Sequence, residues 1–147
     1  MSRRKMFLRL RSKAFHFRMD IPLWWKRYAF IESSYDSKRK IMNYSFKLRY
    51  RKPIRGKKST TIFDLYIFHM TKEKWLRQFQ DSPYQFIAYR EGKVYSYLTP
   101  LEPPEEFLRK DQSDYRRDLF EFKMLSHMIN KDVPKIIKSF KITLATK

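Results

Sequence analysis

The stretch IMNYSFKLRYRKPIRGKKSTTIFDLYIFHM, residues 41–70, carries the clearest period in the chain. Met42, Tyr44, Phe46, Leu48 and Tyr50 alternate with Asn43, Ser45, Lys47 and Arg49. A period of two means a strand with one apolar and one polar face. Lys47 and Arg49 sit on the polar face, where they can meet phosphate. Ile62 to Met70 reads as a second apolar strand, and the two form an antiparallel pair. Between them, residues 51–58 read RKPIRGKK. Arg51, Lys52, Arg55, Lys57 and Lys58 make this a strongly cationic loop, and Gly56 permits an unusual turn. Contact with a phosphate backbone is the expectation for such a loop, ahead of simple solvation.

Toward the N-terminus, Ser33 to Lys40 reads as a polar connection ending in the run Lys38-Arg39-Lys40. Before it, Pro22 suits the first turn of a helix, with Trp24, Tyr28 and Ile31 on one stripe. That helix is predicted to anchor on the domain. Trp25 falls off the stripe and is a candidate stacking residue. Residues 1–20 read as a basic arm. Arg3, Arg4, Lys5, Arg9, Arg11, Lys13 and Arg18 are interspersed with Met6, Phe7, Leu8, Leu10, Phe15 and Phe17, and no acid precedes Asp20. An arm that orders on RNA is the preferred reading. A mitochondrial targeting segment and an amphipathic membrane-surface segment are the alternatives.

Toward the C-terminus, Thr71 is a fitting N-cap for a helix over Lys72 to Gln80, with Trp75, Leu76 and Phe79 on its apolar side. Tyr84 to Tyr89 and Lys93 to Thr99 flank Glu91-Gly92, a strong hairpin signal. A two-residue turn sets Arg90 opposite Lys93 and Ala88 opposite Tyr95. One face then collects Tyr84, Phe86, Tyr95 and Tyr97, and the other Ile87, Tyr89, Val94 and Leu98. Aromatics on a sheet face can stack bases, but burial on both faces is the simpler expectation. Pro100, Pro103 and Pro104 stiffen a connector. A helix is predicted from Glu105 to about Asn130, with Ser113 and Asp114 as candidate breaks. Leu108, Tyr115, Leu119, Phe122 and Ile129 form its apolar side, and Arg116, Arg117, Asp118, Glu121 and Lys123 an ordinary solvated face. Pro134 separates a last segment, read as an edge strand over Ile136, Phe140, Ile142 and Leu144. The whole is an α+β fold. A small, mainly antiparallel sheet packs with two or three helices and bears a basic N-terminal extension. Residues 21–147 form one domain.

The charge is uneven. Of the 147 residues, 34 are Lys or Arg and 15 Asp or Glu, a net charge of +19. Residues 1–58 carry +16 of it, and residues 59–147 only +3. A polycationic block favours a polyanion, of which nucleic-acid backbone is the first candidate and an anionic lipid surface the second. No apolar stretch approaches the ~18 residues of a membrane span.

The composition excludes much chemistry. With no cysteine there is no disulfide framework, Cys-ligated zinc, iron–sulfur cluster or thiol nucleophile. Two glycines, Gly56 and Gly92, leave no room for a Walker A loop or a dinucleotide fingerprint. His16, His69 and His127 are far apart and lack metal-site spacing. The acids at Asp111, Asp114, Asp118 and Glu121 have helical spacing but interleave with Arg109, Lys110, Arg116 and Arg117, so local ion pairing is expected instead of a metal face. The alternation of strands and helices resembles the layout of the LAGLIDADG homing endonucleases, but their motif has no counterpart here. No catalytic residues, metal, cofactor or small-molecule substrate are expected.

The sequence is read as a structural RNA-binding component of a large ribonucleoprotein, a mitochondrial ribosomal protein being the leading form. Its candidate phosphate contacts are Arg3, Arg4, Lys5, Arg9, Arg11, Lys13, Arg18, Lys38, Arg39, Lys40, Lys47, Arg49, Arg51, Lys52, Arg55, Lys57 and Lys58. Its partners would be ribosomal or other structured RNA and neighbouring proteins of the assembly, with a membrane surface disfavoured. RNA is preferred over duplex DNA because no basic recognition helix stands out. The alternative is a basic accessory subunit of a mitochondrial membrane complex that contains no RNA.

Overall fold

The computed structural model describes residues 7–143. The long alternating segment is β4 (Ile41–Ile54), the centre of the molecule. It pairs antiparallel with β3 (Ala29–Asp36) on one side and β5 (Lys57–His69) on the other. β7 (Lys93–Leu98) and β6 (Gln85–Arg90) complete a five-stranded sheet in the order β3-β4-β5-β7-β6. A second, three-stranded sheet joins β1 (Phe7–Ser12), β2 (Phe17–Pro22) and β8 (Lys141–Ile142). Every pairing is antiparallel. With the helices this is the expected α+β class.

The inner face of the large sheet forms the core. Phe46 and Phe63 are cross-strand partners whose rings stack at 4.2 Å. A register shift between Phe46 and Lys47 leaves Ile62 as an extra residue on β5, so Ile62 and Phe63 are both fully buried. Leu48, Leu65, Ile67 and Tyr95 extend the same cluster. The outer face is polar at its centre, where the Asn43 amide donates to Asp64 (3.3 Å). Helix α2 (Lys72–Phe79) covers one end of that face with a smaller cluster of Phe68, Trp75 and Val94. It starts as predicted, with Thr71 Oγ1 accepting from the Lys74 amide at 3.2 Å.

The N-terminal stretch departs from the expected free arm. Arg3, Arg4 and Lys5 lie outside the described residues. From Phe7 onward the chain is a hairpin, and Phe17, Met19 and Ile21 of β2 are buried in the main core. Phe17 stacks on Phe140 at 5.5 Å. The reason is visible in Phe17-Arg18-Met19-Asp20-Ile21, which alternates like β4 beneath its charge.

The helix predicted from Pro22 is only one turn, α1 (Trp25–Tyr28), before the chain extends into β3. Trp25 is not a surface stacking residue. It is buried against Phe63, and its Nε1 donates to Asp132 Oδ2 at 2.8 Å.

The helix predicted from Glu105 begins only at Phe120. Glu105–Phe107 makes a single 3-10 turn that buries Phe107. A loop closed by the Leu108–Tyr115 bridge follows. Asp111 accepts from the amide and hydroxyl of Ser113, and Asp114 from the Tyr115 amide. These local bonds compete with a helix, which is why Asp and Ser favour turns. Pro134 ends nothing. Helix α3 (Phe120–His127) runs through a π-helical turn, Met128–Asp132, into α4 (Val133–Lys138). The wider turn accommodates the residue that cannot donate an amide. Ile136 is therefore helical, and β8 is all that remains of the predicted last strand among the described residues.

The β6–β7 hairpin has the predicted pairs Arg90–Lys93 and Ala88–Tyr95. A register shift between Phe86 and Ala88 moves Phe86 opposite Ser96, off the Tyr95–Tyr97 face. Tyr95 itself is buried, and its hydroxyl donates to the Phe15 carbonyl (2.6 Å). Burial, the simpler expectation, holds for Tyr95 and Val94, and the alternative of a base-stacking face is not formed.

Candidate nucleic-acid interface

The segment predicted as a basic loop is a β-ribbon. β4 continues to Ile54 and β5 starts at Lys57, with Ile54 opposite Lys57 across a two-residue turn. Arg55 (φ 48°) and Gly56 (φ 79°) both take positive φ, the geometry of a tight hairpin turn that matches strand twist. Beyond Tyr50 and up to the turn, the ribbon fully buries no side chain, and only Ile54 packs half-buried against the core.

Its base is fastened at three points. The Tyr50 hydroxyl donates to Glu106 Oε2 at 2.7 Å. Burial, reinforced by that carboxylate, keeps this hydroxyl protonated far above the usual phenol range. The Arg51 amide donates to the buried Glu121 carboxylate (3.1 Å), with Arg51 Nε at 3.4 Å from the same oxygen. The Arg51 guanidinium lies over the Phe120 ring at 3.9 Å. At the tip, Arg55 Nη2 donates to the Leu108 carbonyl (2.8 Å). Arg51 is therefore a structural cation, whereas Lys52, Arg55, Lys57 and Lys58 have no carboxylate within ion-pair distance among the described residues.

Of the remaining candidates, Arg49 adjoins the ribbon, opposite Ser59 and lining one cavity with Lys58, but the others do not form one patch with it. Lys38, Arg39 and Lys40 occupy the β3–β4 turn at the other end of β4, about 40 Å away along an extended strand. There the Asp36 carboxylate accepts from the amides of Lys38 and Arg39 and lies 3.9 Å from Arg39 Nε. Next to this turn, partial burial and then the charges of Lys93 and Lys40 hold His69 below the ordinary histidine value. Lys47 pairs with Glu32 at 3.0 Å, and the Arg49 guanidinium covers Phe30 at 4.9 Å. Both are on the outer sheet face, as expected.

The small sheet holds a third group. Arg9 pairs with Asp20 at 3.1 Å. Two pairs along, Arg11 is opposite Arg18, and Arg18 is opposite Lys141 on β8. Three cations thus stand side by side on adjacent strands. Like charges directly opposite one another are destabilising, and an external anion would relieve them. Lys13 lies in the turn between β1 and β2.

Four cations expected on a helix face also adjoin the ribbon. Arg109, Lys110, Arg116 and Arg117 line a cleft with Pro53, Ile54 and Arg55. Of the four, only Arg117 has a carboxylate partner among the described residues, Asp114 at 3.3 Å. Among the described residues, no group of His, Asp and Glu side chains is arranged to hold a metal ion. No described helix is long and apolar enough to cross a membrane. Compared with family models, curated proteins and solved structures, the chain matches none.

Proposed function

We propose that this chain is a structural RNA-binding component of a large ribonucleoprotein, with a mitochondrial ribosome as the leading setting. The observation that carries the reading is the β4–β5 ribbon. Past Tyr50 only Ile54 packs, half-buried, against the core, yet the ribbon is fastened at its base and presents Lys52, Arg55, Lys57 and Lys58 without counter-charges. Cations held in this way release counterions when they meet phosphate, which gives sequence-tolerant and salt-sensitive affinity. The Arg11–Arg18–Lys141 row supports the same reading from the other sheet.

The test is binding to a stem-loop RNA and, separately, to cardiolipin-containing vesicles as salt rises. RNA binding with a steep salt slope is expected, and K52Q/K57Q/K58Q should lower that slope by about three. Vesicle binding without RNA binding would favour the membrane-subunit alternative and overturn the proposal.

A further inference from the structure

The cleft between the ribbon tip and the 108–118 loop has the construction of an anion site. Its volume is about 870 Å³, and its charged lining is Arg55, Arg109, Lys110, Arg116 and Arg117 against the single carboxylate of Asp118. Two of these guanidinium groups are held in place. Arg55 is fixed by the Leu108 carbonyl at 2.8 Å, and Arg117 by Asp114 and by the Phe122 ring at 5.5 Å. An arginine has five donors, so Arg55 keeps donors for a ligand after its bond to Leu108.

The neighbouring acids Asp111 and Asp114 offset the cleft only in part: they are bonded within the loop and feel the charge of Arg109, but neither lies within ion-pair distance of Arg109, Lys110 or Arg116. Asp111 caps the Ser113 amide and hydroxyl, and Asp114 takes the Tyr115 amide and Arg117. Those bonds hold both carboxyls below the usual aspartate range, so both stay ionised in these roles. The loop is closed by the Leu108–Tyr115 bridge and by the Arg116 amide donating to the Phe107 carbonyl at 2.7 Å. The backbone beneath Arg109, Lys110 and Arg116 is therefore ordered, while their side chains lack ion-pair partners among the described residues.

We infer that this cleft is a phosphate clamp that seats closely spaced backbone phosphates of one RNA strand beside the ribbon tip. The inference rests on the RNA-binding reading and adds a second, sequence-distant wall to it. A planar guanidinium recognises phosphate oxygens bidentately, so several arginines around one cleft suit adjacent phosphates better than scattered lysines do.

The experiment is a salt titration of binding to a stem-loop RNA by the full chain and three double variants. R109Q/R116Q removes two clamp cations, K57Q/K58Q removes two ribbon cations, and K74Q/R77Q removes two cations from α2 at the far end of β5. All are exposed side chains, and circular dichroism should report an unchanged fold. The clamp predicts that R109Q/R116Q lowers the salt slope by about two, as K57Q/K58Q does, while K74Q/R77Q leaves it unchanged. If K57Q/K58Q lowers the slope and R109Q/R116Q behaves like K74Q/R77Q, the clamp is overturned and the RNA reading stands. If the unsubstituted chain binds no RNA, both fall.

Discussion

Two hairpins carry much of the positive charge, and they use it in opposite ways. In β1–β2, cations share a strand with core residues. Arg18 lies between Phe17 and Met19, both fully buried, and Arg9 is tied to Asp20. In the outer half of β4–β5, charge and core are separated. Phe46, Leu48 and Tyr50 hold the base, and at the tip only a half-buried Ile54 packs against the core, beside Arg55, Gly56 and the flanking lysines. High charge density is thus no sign of a free arm. What matters is whether the intervening positions are apolar and in register with a core. The first hairpin couples charge to folding, and the second leaves charge available to a partner.

The largest effect that could break this contrast is Phe17→Ala. Phe17 is fully buried and stacked on Phe140, so denaturant unfolding should show a loss of about 4 kcal/mol. A loss below about 1 kcal/mol would mean that the N-terminal hairpin is an appendage after all. Slightly smaller is Trp25→Phe, which deprives the buried Asp132 of its Nε1–H donor. Losing a hydrogen bond to a charged group there should cost about 2 kcal/mol in the same assay. On the ribbon the scale drops. A Cβ at Gly56 would meet nothing within 4 Å, so Gly56→Ala carries only the strain of positive φ, about 1 kcal/mol. Neutralising Lys57 and Lys58 should change stability by less than about 0.5 kcal/mol while weakening RNA binding. That split between stability and binding is the sharpest form of the contrast.

The smallest expected signal comes from the opposite end of β5. His69 is held below 6.5 by partial burial and then by Lys93 and Lys40. A histidine with a depressed folded value adds stability above about 6.5, and this is lost as pH falls toward the folded value. An NMR titration should place the His69 transition below 6.5, and a transition at or above it would contradict the electrostatics of that end.

The central strands were legible because one buried face imposes a period of two on β4, and charge on the other face does not disturb it. The Thr71 cap and the Glu91-Gly92 turn were legible because each is a local device. The same period ran through Phe17, Met19 and Ile21, but the dense charge before them drew the reading toward an arm. The helix predicted over 105–130 followed apolar spacing that persists across Asp111 to Asp114, where local side-chain bonds hold a loop instead. That misreading also hid the clamp, because Arg109 and Arg116 paired with acids only on an imagined helix. The Phe86 face was lost to a bulge, which no alternation can reveal. The ribbon cations were found, but their separation from Lys38, Arg39 and Lys40 by the length of β4 emerged only from the strand register.

The most direct test is ultraviolet crosslinking within the native particle, followed by mass spectrometry of the peptides. Nucleotide adducts on peptides covering residues 47–58, in a particle with stoichiometric RNA, are the predicted result. A particle free of RNA, or a ribbon crosslinked only to protein or lipid, would contradict the account.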